Sequence, residues 1–488
     1  MKNKQAFIQQ LDALAEKWDI SAVIQMDEPE GTIASRAYGW ADRAKGRKMG
    51  LEDRFCLSAH NLFFLSLCFL HLVQRGRLKL NDKVSQWIPE YEQAEKITVA
   101  NLLRMESGIP DELYQVRLPL LQQDPRHGAL SDEEKFRREY EMKAGDTEFS
   151  DVLSRIGSLP LSLLPGKEDD GSLTTISFLK EILWRLEKRT PVDYLITYIF
   201  SPLGMRDTVP GNGGTAGHFG VRKDVLQVSL PALSPSHAFT TTLSDMQRLA
   251  RGIVENRVLS RRLLQLALRM KRETQGMGLY KIGDLYCADN YPHMLGNDFR
   301  IYFDFDEKMT WVLLNSEDFI SKREQDEWSS FPAALRRHFQ YARAYPDQPE
   351  FVKVTGKNVW DALDIQITQD QLSFVPDAKC CVAASLARRQ PVYLLKDRGL
   401  PVGIAALTID KRKKEYHVSF LQVDYRLQGR GYGRILLTHA LEVLKKEGAK
   451  KLEIGVNRFN LPAQKLYLSV GFTLERIYEG FMELKMEL

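Results

Sequence analysis

The chain has 488 residues, 44% of them hydrophobic and 27% charged, with a mean hydropathy of −0.32. That suits a soluble globular protein of about two to four domains and excludes the disordered class. Its 68 basic and 64 acidic side chains leave a formal net charge of +4, too little field to hold a nucleic acid, so the pI of about 8.6 is weak evidence for one. Residues 1–20 mix Lys, Gln, Asp and Glu with apolar residues and lack the apolar run of a signal peptide. The most apolar run, residues 62–73 (LFFLSLCFLHLV), is too short to span a bilayer and predicts a buried helix. Five cysteines, with Cys380 and Cys381 adjacent and no export signal, predict reduced thiols in a cytoplasm rather than a disulfide framework. No Cys/His cluster has zinc-ligand spacing, so no metal is expected.

Residues 341–350 (YARAYPDQPE) carry two prolines and no apolar periodicity, and predict a linker between a domain at 1–345 and another at 351–488. The second domain reads as strand, helix, strand, helix, strand. No internal repeat or low-complexity tract is present.

Several segments of residues 31–340 carry one resemblance. They are Tyr38-Gly39-Trp40-Ala41-Asp42, Phe55-Cys56-Leu57-Ser58-Ala59-His60-Asn61, and residues 77–84 (RLKLNDKV) and 97–110 (ITVANLLRMESGIP). Pro202-Leu203-Gly204-Met205-Arg206-Asp207-Thr208 and Thr242-Leu243-Ser244-Asp245-Met246 complete the set. Together they resemble the serine β-lactamase-related proteins: class C β-lactamases, D-Ala-D-Ala peptidases and esterases. The resemblance implies an α+β β-lactamase/transpeptidase-like fold, an antiparallel sheet with a helical region. The catalytic groups depart from it. The family nucleophile motif is Ser-x-x-Lys, in which the lysine helps activate the serine. Here Ser58 is kept and Asn61 replaces the lysine, and an amide takes no proton near neutral pH. By spacing, the second motif (Tyr-x-Asn) falls on Gly171-Ser172-Leu173. The third is at best a loosened His293-Met294-Leu295-Gly296. A catalytically inactive domain is expected, with an amide- or peptide-like ligand in its cleft, dimerisation, or shielding of its neighbour as its remaining roles. His60 as a substitute base stays open, although residues two apart do not face one another on a helix. So does Ser58 as a cap for a helix beginning near His60.

In the second domain, the β-favouring run Val418-Ser419-Phe420-Leu421-Gln422-Val423 precedes Gln428-Gly429-Arg430-Gly431-Tyr432-Gly433-Arg434. Ile435, Leu437, Ala440, Leu441 and Leu444 then follow at helical spacing, with Gly448 as a C-cap. A glycine-rich turn opening a helix suits an anion such as a pyrophosphate, to which Arg430 and Arg434 add charge; it also suits a merely tight turn. Glycines at alternate positions do not match the Rossmann fingerprint, and no Lys-Ser/Thr follows for a Walker A loop. A strand at 451–456 and a helix from Asn460 to a Gly471-Phe472 turn come next.

Gln428, Gly431 and Gly433, then Asn460, Ala463, Leu466, Tyr467, Gly471 and Phe472, resemble the two motifs of the GNAT superfamily of acetyl-CoA-dependent N-acetyltransferases. The resemblance covers essentially all of 351–488 and implies an α/β fold with a mixed, splayed sheet. It implies acetyl-CoA as cosubstrate, in the splay between the strand ending near Val423 and that at 451–456. Backbone amides from Gln428 through Gly429, Arg430, Gly431, Tyr432 and Gly433 to Arg434 would hold its pyrophosphate. The backbone at Leu421 and Val423 would orient the thioester, Asn460 would contact the cofactor, and Tyr467 would protonate the departing thiolate; a core tyrosine is the plainer reading of Tyr467. Glu453, Asp424 and a water chain are candidate bases. The expected partner is a small-molecule amine. Residues 367–375 (ITQDQLSFV), Ser385-Leu386 and Val423-Asp424 look like bacterial spermine/spermidine acetyltransferases, which implies a polyamine. Asp370, Asp377, Glu475, Glu479 and Glu483 are available to line a groove, although loop charges are more often solvated surface. Neither a nucleic acid nor a membrane partner is expected, and an oligomer stays open. Two other readings stand beside this one: a serine hydrolase, peptidase or esterase using Ser58, and a non-catalytic ligand-binding or sensory protein.

Overall fold

The computed structural model describes the chain apart from residues 1, 18, 43–44, 132–133, 136–137, 139–141, 143–146, 169–170, 212, 214–236, 270–275, 283–284, 290–297, 317–340, 342–343 and 479. Two compact units divide it, Met1–Ala333 and Ala334–Leu488. Among the described residues no helix is long and apolar enough to cross a membrane. All five cysteines are free, and only Cys380 is exposed.

The first unit contains a six-stranded antiparallel sheet in the order Gly31–Tyr38, Ala22–Glu28, Met309–Asn315, Asp298–Asp304, Leu285–Asp289, Tyr280–Ile282. Strand alternation sends Phe299, Ile301 and Phe303 into the main core. The predicted apolar helix forms there as Leu62–Gln74, with ten of its residues buried, and Phe63 and Phe64 pack on Phe299. A helix apolar on all sides has to sit inside the core rather than on its surface. A smaller sheet pairs Arg54–Ser58 with Ala238–Thr242 and leaves Ser58 opposite Ala238, three residues before the helix cap.

The second unit has seven strands where the sequence predicts three. Pro349–Lys353, Val392–Asp397, Leu400–Asp410 and Glu415–Val423 form one antiparallel sheet in that order. Lys451–Asn457, Phe481–Glu487 and Thr473–Tyr478 form another. The extra strands arise from tight hairpins: Arg398 and Gly399 join two strands with φ of +48° and +79°, a turn that twists with the sheet. The predicted splayed sheet is thus two antiparallel sheets adjoining at Glu415–Val423 and Lys451–Asn457. Helix Tyr432–Lys446 covers one core, with Leu436, Leu437, Ala440, Leu441 and Leu444 buried and Gly448 left-handed after its end. The opposite face of the first sheet packs on helices Val359–Leu363 and Ala378–Ala387.

The predicted linker contributes to this unit. Tyr341 is buried in its core, and Pro349–Lys353 is a strand. At the end of Glu415–Val423 stands Asp424, fully buried, with Arg426 Nε and Nη2 each donating to its carboxylate at 2.7 Å. The N–H groups of Arg426 and Gln366 donate to it at 3.0 and 3.1 Å. Arg426→Ala strips a buried carboxylate of its counter-charge and is expected to destabilise the second unit by about 3 kcal/mol. Urea unfolding of the full chain, followed by hydrogen exchange in residues 400–460, measures it.

Candidate functional site

The turn after Asp424 is built for close backbone approach. Gly429 and Gly431 adopt φ of +78° and +92°, and Gly431 opens helix Tyr432–Lys446 with no side-chain cap. Helix-start N–H groups without a side-chain acceptor favour an anion. Gly433 answers a different need: a Cβ there would lie 3.3 Å from Leu466 Cδ2, so its bareness lets the helix Leu461–Val470 come close. Gly403 does the same for the strands, since a Cβ would meet the Gln422 carbonyl oxygen at 2.5 Å. The ladder between Leu400–Asp410 and Glu415–Val423 slips at Ser419, between the pairs Ala406–Phe420 and Leu407–Val418.

The side chains of this turn hold the fold. Gln428 Nε2 donates to the Val423 carbonyl at 2.9 Å, and its Oε1 accepts from Gln371 Nε2 at 2.7 Å. Arg430 directs Nη1 to the carbonyls of Tyr341 and Ala344 at 2.5 and 2.9 Å, so one end of its guanidinium is held by backbone. Tyr432 is buried and donates to Asp397 at 2.8 Å. Arg434 is exposed. An anion at this turn would meet backbone N–H groups, the exposed Arg434 and whatever part of Arg430 the backbone leaves. Leu421 and Val423 point into the core beneath the same helix.

Asn460 caps Leu461–Val470 by accepting the Ala463 N–H at 3.2 Å. Tyr467 lies on that helix at 8% exposure, 5.9 Å between ring centroids from Phe472. Burial pushes its hydroxyl up to about 12, so it keeps its proton through the neutral range. It is thus a buried core tyrosine that stays protonated near neutral pH. Of the candidate bases, Asp424 is ruled out by its burial and its four donors. Glu453 is exposed and paired with Lys451 at 2.8 Å. Among the groove carboxylates, Asp377 caps Ala378–Ala387, Glu475 pairs with Lys485, and Glu483 pairs with Arg476. Asp370 is exposed, and Glu479 lies outside the described residues. Sequence reasoning passed over Gln366, Gln371 and Gly403. The signals were there: Thr368-x-x-Gln371 has capping-box spacing, and a glycine inside a strand marks close approach.

In the first unit, Asn61 caps the helix, so Ser58 does not. Asn61 Oδ1 accepts the Phe63 N–H at 2.8 Å and Nδ2 donates to the Asp289 carbonyl at 2.8 Å. The residue in the lysine position has become a structural tie from helix start to sheet. Ser58 Oγ accepts the His60 N–H at 3.2 Å, and the His60 ring lies against that of His237, 4.6 Å between centroids. At the second motif position, Leu173 N–H donates to Asp111 at 2.7 Å and Ser172 is buried. The neighbouring Thr174 and Thr175 hydroxyls bond Glu112 N–H and Ser107 at 2.7 and 2.8 Å. The third position, residues 293–296, lies outside the described residues. Asn61→Ala removes the cap and the bond to the sheet together and is expected to cost about 1–3 kcal/mol. Thermal unfolding of the full chain checks it.

Residues 14–296 match the Beta-lactamase family model, and residues 363–472 match that of the Acetyltransferase (GNAT) family. Esterase EstB of Burkholderia gladioli is 28% identical over 201 residues, 40% of this chain and 48% of the esterase. Protein flp of Staphylococcus aureus (strain MW2) is 26% identical over 179 residues, 36% of this chain and 31% of its own. The chain thus spans less than half the length of either relative. Among solved structures, D-amino acid amidase from Ochrobactrum anthropi SV3 has a TM-score of 0.54 at 17% identity, covering 70% of this chain and 100% of the amidase. A penicillin binding protein from Bacillus halodurans has a TM-score of 0.51 at 18% identity, covering 66% of this chain and 98% of its own. At such identity these structures establish the fold alone. The chain belongs to the β-lactamase family through its first unit, and its second unit is a GNAT acetyltransferase domain.

Proposed function

We propose that the second unit transfers an acetyl group from acetyl-CoA to a primary amine of a small molecule, and that the first unit is a non-hydrolytic ligand-binding accessory. The observation that carries this reading is the left-handed glycine turn feeding an uncapped helix, with a buried, protonated tyrosine on the helix packed beside it. Backbone N–H groups from Gln428 to Gly433 hold the pyrophosphate, with Arg434, whose own N–H turns back to the Gly431 carbonyl at 3.1 Å, the nearby cation. The backbone at Leu421 and Val423 and the Asn460 region orient the thioester. The amine nitrogen bonds to the acetyl carbon as the carbon–sulfur bond breaks; the departing sulfur takes the Tyr467 proton, and the amine proton leaves through a water chain or Glu453. A polyamine is one acceptor of this class. With Glu475 and Glu483 already paired to Lys485 and Arg476, a polycation has to displace those partners to use them. The free thiols suit a cytoplasmic protein.

CoA release from acetyl-CoA across spermidine, spermine, diamines, aminoglycosides and amino acids tests the transfer. Tyr467→Phe is expected to lower kcat by about 10²–10⁴ with little change in CoA affinity; unchanged turnover removes its acid role. Because burial holds the Tyr467 proton up to about 12, kcat/KM should climb as the amine deprotonates, with no alkaline fall due to Tyr467 below about pH 10. A descending limb centred near neutrality would assign the acid to another group.

The second reading is hydrolysis at Ser58, favoured by the resemblance to Esterase EstB. The bonds that commit Asn61 leave no base at the lysine position. The full chain is expected to form no adduct on Ser58 with a β-lactam or a fluorophosphonate over hours. A stoichiometric mass increase on the peptide containing Ser58 would restore the hydrolase.

A further inference from the structure

The segment before helix Ala378–Ala387 is stitched to the glycine turn from the side. Gln366 N–H donates to Asp424 at 3.1 Å, and Tyr425 N–H donates back to the Gln366 carbonyl at 2.9 Å. Five residues on, Gln371 Nε2 donates to Gln428 Oε1 at 2.7 Å, and Gln428 Nε2 reaches Gln371 Oε1 at 3.3 Å. The same Gln371 Oε1 accepts the Thr368 N–H at 3.1 Å and so closes the capping box of the short helix Gln369–Ser373. Gln371 therefore carries two jobs on one amide: it fixes its own turn and grips the first residue of the glycine turn.

We infer that Gln371 is a positioning residue that couples the anion-binding turn at 428–434 to the 368–375 segment, so that CoA binding tightens that segment. The inference rests on the proposed acetyl-CoA site. The physical path is short. A diphosphate drawing in the N–H groups of Gly429 to Gly433 fixes Gln428, whose amide is already tied to the Val423 carbonyl. A fixed Gln428 presents its Oε1 to Gln371 Nε2 permanently rather than intermittently, and Gln371 Oε1 then holds the Thr368 N–H more firmly. The turn bonds from Gln371 N–H to Thr368, Phe374 N–H to Gln371 and Val375 N–H to Gln371 report it. The coupled segment exposes Asp370, Leu372 and Phe374, giving the cofactor turn control over a surface with one carboxylate and two apolar side chains.

Hydrogen exchange of the full-length chain with and without CoA tests this, on peptides covering 368–375 and 424–434. In the wild type CoA should slow exchange in both, with about three- to tenfold slowing in 368–375, the effect of strengthening one hydrogen bond. Gln371→Glu keeps an acceptor for the Thr368 N–H, so the turn still closes, and removes the donor of the shorter bond to Gln428 Oε1 while leaving the longer one from Gln428 Nε2. In Q371E the CoA effect should persist at 424–434 and fall by about half or more at 368–375, while the exchange of 368–375 without CoA stays within about twofold of wild type. Slowing at 424–434 alone in the wild type, or an undiminished effect at 368–375 in Q371E, overturns the coupling. Absence of any CoA effect at 424–434 overturns the underlying cofactor site instead.

Discussion

The second unit depends on one buried carboxylate. Asp424 sits at the end of the strand Glu415–Val423 with no exposure to water, where an unpaired charge is not tolerated. It is satisfied by the Arg426 fork and by two backbone N–H groups, one from its own turn and one from Gln366. Those bonds fix the direction in which the chain leaves the strand. They place Gln428 under the Val423 carbonyl and bring the glycine turn to the start of helix Tyr432–Lys446. Asp424 and Arg426 thus build the scaffold, while Gly429 and Gly431 open the helix with no side-chain cap. Arg430 follows the same rule, holding the carbonyls of Tyr341 and Ala344.

The first unit shows how a catalytic position becomes a structural one. Where its relatives' motif has lysine, Asn61 supplies a helix cap and a bond to the sheet strand Leu285–Asp289. An amide performs both tasks because it carries a donor and an acceptor on one small group; a lysine, with donors only, cannot cap a helix start. The capped entrance to Leu62–Gln74 and the bonds at Asp111, Thr174 and Thr175 stabilise the family's architecture, and the residue at the lysine position is an amide engaged in that architecture. Fold and chemistry are separable in principle, and what the family match and the solved structures establish for this unit is the fold.

Local pattern carried much of this. The strongly apolar run at 62–73 forms the expected buried helix, and the spacing of Leu437, Ala440, Leu441 and Leu444 faces one core, with Leu436 rather than the expected Ile435 buried in the first turn. Gly429, Gly431, Tyr467 and Gly471 were legible because each answers a local demand: a left-handed turn, a helix end, or a motif position. The hairpin strands were missed because Arg398-Gly399 is an unremarkable pair until two strands meet across it. The roles of Asp424, Arg430 and Gln371 were also out of reach, since their partners lie 58, 89 and 57 residues away in the chain.

The sequence by itself determined the two families, the order of their domains, the asparagine at position 61 and the place of the glycine turn before its helix, because those depend on residue type and short spacing. Only the tertiary structure decided which charged and amide side chains serve the fold and which remain for a ligand. A carboxylate such as Asp424, a guanidinium such as Arg430 and an amide such as Asn61 each suit either role. The choice is made by whatever donor or acceptor the folded chain brings within about 3 Å.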